Sequence, residues 1–320
     1  MQIGDDGIGA IEYRPQNSSY SEVHIEFKEY FDEIQKLLSG NISDVLPEVL
    51  NGRSPAGGAR PKVSALWDAK SSQISLAHTS VMRENGLEPY IFKFDEKDKE
   101  HTKIEYTYTQ LAKDAGINVL DVTLVHIGDE VHFATKRFDR KNGKKSHQAT
   151  LAGLTHRDFM SRSFSYEEYL RIAQALTHSP KAGEEAFRRI AFNIIGGNCD
   201  DHIKNFSFLM DSSGEWRLSP AYDLIHADGK ATFGQHRMTI NGKNDHVSLS
   251  DLARCGYSAG LKKQFMKSTI ESISDLFLEV AKRLLDNGVS REVSRLIGGG
   301  VRPLGVNEFP DDKRRRKQYN

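Results

Sequence analysis

The stretch "GGNCDDHIKNFSFLMDSSGEWRLSPAYDL", Gly196 to Leu224, places two adjacent carboxylates, a histidine, a lysine and an asparagine within six residues. A third carboxylate, Asp223, follows behind an apolar run. Just upstream, "FRRIAFNII" repeats apolar side chains at helical spacing until the glycine pair Gly196–Gly197 stops it. Residues 198–205 therefore read as a loop at a helix end, which presents polar side chains from a rigid support. "FSFLM" and "WRLSPAYDL" flank the turn "DSSGE" and predict a hairpin that returns Asp223 toward that loop. The arrangement gathers Asp200 or Asp201, Asn205 and Asp223 around one point. Carboxylate and amide oxygens are hard ligands, suited to a Mg²⁺ ion that also binds phosphates. In phosphoryl transfer a loop aspartate orients the attacking hydroxyl and an asparagine five positions later holds a metal. A further aspartate behind a short hairpin bridges the metal to the phosphates. Asp200 and Asn205 have that spacing, and Asp223 lies in the third place. An aspartate-rich turn alone reads as a solvated loop; the asparagine, the hairpin and the second aspartate tip the reading to chemistry.

Working outward, residues 21–50 read as helix-forming, with apolar positions at helical intervals up to Gly40. A Gly/Pro-rich loop, "NGRSPAGGARPK" (51–62), follows. "PYIFKF" (89–94) predicts a strand and "EYTYTQLAKDAG" (105–116) a helix closed by Gly116. "VLDVTLVHIGDEVHFATKRFD" predicts two strands around a Gly-Asp turn at 128–129. Apolar stripes then predict helices over 165–177, 184–196 and 261–287, with the hairpin at 206–223 inserted. Neither an internal repeat nor a long low-complexity segment interrupts the chain. The fold class is α+β, in two lobes: strand-rich over 1–140, helical over 141–310, with a basic, disordered tail over 311–320.

Two further features suit phosphate chemistry. "SPAGGARPK" (54–62) offers small residues whose backbone N–H groups can approach phosphates closely, although it fits neither the P-loop nor the protein-kinase glycine-loop pattern. Lys93 is a charge amid apolar strand neighbours. It is either the solvent face of an edge strand or, in a kinase, a contact to nucleotide phosphates. Glu105 could pair with it, but its place at the predicted helix start favours an exposed residue.

Composition limits the alternatives. Lys+Arg and Asp+Glu are equal at 44 each, which argues against bulk nucleic-acid binding. The two cysteines, Cys199 and Cys255, are too few for a disulfide framework and fit a reducing compartment. No apolar run approaches the roughly 20 residues of a membrane span. The start "MQIGDDGIGAIEY" lacks the features of a signal peptide. The expectation is a cytoplasmic protein; an effector exported by another route would look the same.

"FRRIAFNIIGGNCDDHIKNFSFLMD", "WRLSPAYDL", "SPAGGARPK" and "KRFDR" together resemble the HipA-like serine/threonine kinases, toxin components of bacterial toxin–antitoxin systems. The resemblance covers roughly 50–250. It implies a two-lobed kinase-like fold, use of ATP and Mg²⁺, and protein substrates such as aminoacyl-tRNA synthetases, whose phosphorylation halts translation. It also implies a DNA-binding, HipB-like antitoxin partner. Within the motif D-x-H-x-K-N, it assigns Asp200 as the catalytic aspartate, with Asp201 its rival, and His202 and Lys204 completing the catalytic motif; loop architecture is the bland role for these last two. Asn205 and Asp223 match the metal-binding pair. Lys93 matches the nucleotide-binding strand lysine, with Gly57, Gly58 and Ala59 in the phosphate loop. "KRFDR" falls where the lobes join, so Arg137 and Phe138 would line the adenine site, while Arg137 and Asp139 could simply form a local ion pair. His147 and Gln148 would lie near the nucleotide or peptide cleft. Ser54 is the candidate for self-phosphorylation. "GDDGIGAIEYRP" resembles only the end of the family's N-terminal subdomain, so this is a short form whose missing part a separate small protein would supply. The competing readings are a catalytically idle kinase fold acting as a co-repressor and a metal-dependent phosphoesterase. The second leaves Lys93 and the Gly-rich loop unexplained.

Overall fold

The computed structural model describes residues 7–13, 24–38, 62–68, 73–75, 87–95, 99–141, 143–227 and 234–312. The Gly-rich loop, with Ser54, Gly57, Gly58 and Ala59, and the basic residues 313–320 lie outside the described residues. The chain divides into two compact units: Met1–Tyr106 with Leu120–Gln148 and Met210–Ser212, and Thr107–Val119 with Ala149–Leu209 and Ser213–Asn320.

The first unit is built on a six-stranded sheet. Its strands are β1 (His24–Glu26), β2 (Lys62–Trp67), β3 (Gln73–Ser75), β4 (Glu88–Lys93), β5 (Val122–Ile127) and β6 (Glu130–Lys136). They run in the order β1-β3-β2-β4-β6-β5, every pair antiparallel. The Gly-Asp turn joins β5 to β6 as the sequence predicts, with Gly128 at φ 60°. Helix α1 (Phe27–Leu38) buries Tyr30, Phe31 and Ile34, one stripe at helical spacing, in a cluster with Val63, Trp67, Ile74, Phe92 and Phe94. Each such side chain contributes roughly 1.5–3 kcal/mol when fully buried. The predicted helix over 21–50 is therefore shorter. Residues 24–26 pair with β3 instead, because a free sheet edge satisfies their backbone groups, and 39–50 lie outside the described residues. His132 on β6 joins the same core, its ring centroid 4.3 Å from Phe31 and 5.1 Å from Phe94. Neither ring nitrogen has a hydrogen-bond partner among the described residues, and burial lowers its pKa to about 4. A short ribbon, β7 (Arg140–Lys141) and β8 (Lys144–Lys145), follows the sheet.

Helix α2 (His101–Asp114) starts four residues before the expected Glu105. The Asp95 carboxylate caps it from outside, accepting from the Thr102 N–H at 3.1 Å and the Thr102 hydroxyl at 2.7 Å. Glu105 thus sits in the second turn rather than at an exposed start.

The second unit is helical: α3 (Leu151–Thr155), α4 (Tyr166–Thr177), α5 (Pro180–Gly196), α6 (Leu249–Ser258), α7 (Lys263–Leu278), α8 (Val280–Asp286) and α9 (Arg291–Gly300). A small sheet of β9 (His147–Thr150), β10 (Ser207–Met210) and β11 (Trp216–Leu218) runs in the order β11-β10-β9. Helix α5 buries Ala186, Phe187, Ile190, Ala191, Ile194 and Ile195, and α4 and α7 pack on it. Helix α4 begins with a reciprocal cap between Ser165 and Glu168. The predicted helix over 261–287 breaks at Glu279 into α7 and α8. No glycine or proline marks that break. Among the described residues, no helix is long and apolar enough to cross a membrane.

Candidate active site

Helix α5 ends where the glycine pair stands. Gly197 takes φ 67°, and a Cβ there would lie 3.0 Å from the His226 ring. At Gly196 a Cβ would lie 2.4 Å from Phe277, so both glycines are needed for close packing. The loop that follows separates the two candidate aspartates by environment. Asp201 is 1% exposed, and its carboxylate accepts hydrogen bonds from the Tyr166 hydroxyl at 2.5 Å, His236 Nδ1 at 2.9 Å and the Arg237 N–H at 2.6 Å. The Asp200 side chain is 52% exposed. A general base must reach a substrate hydroxyl, and only Asp200 is open to one. The Asp200 carbonyl accepts from Asn205 Nδ2 at 2.9 Å, which closes the loop across its five-residue span.

The remaining loop side chains pack on Phe159. Lys204 Nζ lies 3.5 Å from the Phe159 ring centroid, a cation–π contact, and the His202 ring meets the same phenyl edge-on at 5.4 Å. His202 Nε2 is 3.9 Å from Asp200 Oδ1, too far for a hydrogen bond. Beyond the loop, the β10–β11 hairpin closes with the Ser219 N–H donating to the Ser207 carbonyl at 3.0 Å. The Tyr222 hydroxyl then donates to the Lys204 carbonyl at 2.7 Å. That bond joins the chain neighbours of Asn205 and Asp223, so the hairpin does return Asp223 to the loop. Asp223 itself adopts φ 53°, a left-handed backbone that aspartate, with its short polar side chain, tolerates better than most residues.

In the first unit, Lys93 is buried on β4, with Nζ 2.5 Å from Glu105 Oε1 and 5.5 Å from the Phe133 ring centroid. Glu105 is 3% exposed, contrary to the expectation of an exposed helix-start residue; the earlier start of α2 turns it inward. Arg137 and Asp139 do form an ion pair, within a larger buried clasp. Arg137 Nε and Nη2 reach the Asp139 carboxylate at 3.0 and 2.8 Å, Nη1 reaches Ser64 Oγ, and Nη2 also reaches the Gly7 carbonyl. Arg140 adds bonds to Asp139 and to the carbonyls of Gly7 and Gly9, and the Gly9 N–H donates back to Asp139 at 2.8 Å. Burial disfavours the Asp139 carboxylate, but the two guanidiniums outweigh it and hold its pKa below the usual range. The Arg137 guanidinium is thus engaged within the fold. Phe138 and His147 are half-buried.

The partners of Asp201 and the Gly7–Gly9 clasp escape sequence reading, since they stand about 35 and 130 residues from the groups they bind. No spacing rule connects them.

Asn205 and Asp223 offer oxygen donors of the kind Mg²⁺ takes. Asn205 commits its nitrogen to Asp200, leaving its amide oxygen as the ligand atom. Among the described residues there is no group of three or more His, Cys, Asp or Glu that could hold a metal.

Residues 54–281 match the family model described as HipA-like C-terminal domain. The chain is 25% identical over 287 residues to the serine/threonine-protein kinase toxin HipA of Shewanella oneidensis. That match covers 81% of this chain and 63% of the relative, less than two thirds of its length. A solved complex of Shewanella oneidensis HipA with HipB and its operator DNA superposes with a TM-score of 0.69 at 22% identity, covering 93% of this chain and 74% of that one. This likeness concerns the fold. With the family model spanning 54–281 of 320 residues, the chain belongs to the HipA-like C-terminal domain family.

Proposed function

We propose that this protein is an ATP- and Mg²⁺-dependent serine/threonine protein kinase, the toxin of a toxin–antitoxin pair acting in the cytoplasm. The observation that supports this most is the buried Lys93–Glu105 pair. Two desolvated charges are a poor source of stability, so their presence in an apolar strand and helix calls for a role. Holding a lysine ammonium for nucleotide phosphates is that role in kinases. A phosphoesterase using a water nucleophile has no need of it.

In this reading the Asp200 carboxylate receives the proton of a substrate serine or threonine hydroxyl. The hydroxyl oxygen bonds to the γ-phosphorus, and the bond from that phosphorus to the β,γ-bridging oxygen breaks, releasing ADP. Mg²⁺, when bound, supplies charge neutralisation at the phosphates, with Asn205 and Asp223 as its protein ligands. Lys93 carries phosphate charge, and Glu105 fixes its position. His202 and Lys204 hold the loop's shape against Phe159. The substrate of this reading is a translation component such as an aminoacyl-tRNA synthetase, as the family resemblance suggests. A DNA-binding antitoxin is the partner; the HipA neighbour's complex with HipB supports that choice. Phosphate on Ser54 would place about −1.5 to −2 charge in the phosphate loop and switch the enzyme off.

Incubation with γ-labelled ATP, Mg²⁺ and a cell extract tests the reading. Label in protein, lost in Asp200→Asn, is the expected result. Free phosphate without protein label would favour a phosphoesterase, and no turnover at all would favour an idle fold.

A further inference from the structure

The hydrogen-bond set around Asp201 takes no part in the chemistry just described. Three donors converge on this buried carboxylate: the Tyr166 hydroxyl at the start of α4, His236 Nδ1 and the Arg237 N–H. Behind Tyr166 the network continues, with Asn193 Nδ2 donating to its hydroxyl at 3.3 Å and Asn198 Nδ2 donating to Asn193 Oδ1 at 3.1 Å. Two places behind Asp223, Ala227 and His236–Arg237, are therefore each fastened to one short stretch of chain. The Ala227 N–H donates to the Gly197 carbonyl at 3.1 Å and the Cys199 N–H to the Ala227 carbonyl at 3.2 Å. Nine and ten residues later, His236 and Arg237 return to Asp201. Both fastenings lie within Gly197–Asp201, beside Asp200.

A neutral loop would serve as a plain anchor. A desolvated carboxylate is costly unless donors satisfy it, and here three donors meet both of its oxygens. We propose that Asp201 is a positioning residue for Asp200: it buckles the His236–Arg237 stretch to the catalytic loop, so that this fastening sets how Asp200 is presented. The proposal rests on the phosphotransfer reading above.

The test uses full-length Asp201→Asn and Tyr166→Phe, with two readouts: phosphotransfer kinetics per folded molecule, and amide exchange of the peptide containing Arg237. Charge-assisted bonds contribute enough that Asp201→Asn is expected to lower kcat about 10–100-fold with KM for ATP changed less than about twofold. Tyr166→Phe keeps the carboxylate and two donors, so kcat falls about 3–10-fold. In both variants the Arg237 amide exchanges faster than in wild type. Faster exchange with unchanged kcat in Tyr166→Phe, or a loss lying wholly in KM, overturns the proposal and leaves Asp201 a structural anchor. If Asp201→Asn does not fold, Tyr166→Phe decides alone. A wild type that protects Arg237 but transfers no phosphate refutes the phosphotransfer reading and, with it, any role of the buckle in turnover.

Discussion

The buried charges beside β4 and β6 in the first unit and the Asp201 carboxylate in the second are held in different ways. In the first, charge meets charge: Lys93 with Glu105, and Asp139 between Arg137 and Arg140. In the second, Asp201 is surrounded by a hydroxyl, a ring N–H and a peptide N–H. The difference governs what a mutation does. Removing one partner of a pair leaves an uncompensated buried charge, at a cost of about 3–5 kcal/mol. Removing one donor of three leaves a carboxylate still held, at a cost nearer 1–3 kcal/mol. Asp200 belongs to neither scheme, because it stands half in water.

The largest expected effect follows from that exception. Asp200→Asn should lower phosphotransfer about 10²–10⁴-fold while leaving the thermal midpoint where it was. Kinetics and calorimetry on one preparation check both halves. If the aspartate were part of the buried network, the midpoint would fall as well.

Next comes the charge pair. Lys93→Met takes the ammonium away from the buried Glu105 carboxylate and should destabilise the protein by about 3–5 kcal/mol, read as a shift in urea midpoint. A loss below about 1 kcal/mol would mean that Glu105 finds water or another partner, and the contrast between the units would weaken.

His132 sharpens the comparison because, among the described residues, neither of its ring nitrogens has a hydrogen-bond partner. Its pKa is lowered from 6.5 to about 4 in the fold, so the unfolded chain takes up the proton first. Stability from this group is complete above about pH 6.5 and declines as the pH falls toward 4, by about 3 kcal/mol in all. Urea unfolding between pH 7.5 and 4.5, followed by Trp67 fluorescence in a Trp216→Phe background, reads the first unit. His132→Phe should flatten the slope; an unchanged slope assigns it to other groups.

The smallest effect is local. Ser165→Ala removes the side-chain half of the α4 cap, for which about 1 kcal/mol is expected. Because Tyr166 is the next residue, the same variant should raise amide exchange at α4 without changing that at Arg237. Parallel changes at both sites would show that the cap and the Asp201 buckle are one unit.

Much of this architecture is legible in the sequence because it is written in local periodicity. The stripes of α4 and α5, the Gly128 turn and the β10–β11 hairpin all follow from spacing and breakers, and the Asp200-to-Asn205 interval is itself a local signal. What escapes is set from a distance. Helix α2 starts early because Asp95 caps it from six residues upstream, and that shift alone decides whether Glu105 faces water or Lys93. The break at Glu279 has no residue type to announce it. The environments that separate Asp200 from Asp201 come from Tyr166, His236 and Arg237, and no interval relates them to the loop.

The most direct test of the central claim, that Lys93 and Glu105 are buried together for nucleotide binding, is titration of Mg²⁺–ATP into Lys93→Met/Glu105→Leu. Replacing both charges removes the carboxylate along with its ammonium, so the double variant should fold with stability within about 1 kcal/mol of the parent. The account predicts that this folded protein binds Mg²⁺–ATP at least about tenfold more weakly, the equivalent of about 1.4 kcal/mol. A folded double variant that binds nucleotide as tightly as the parent would contradict it.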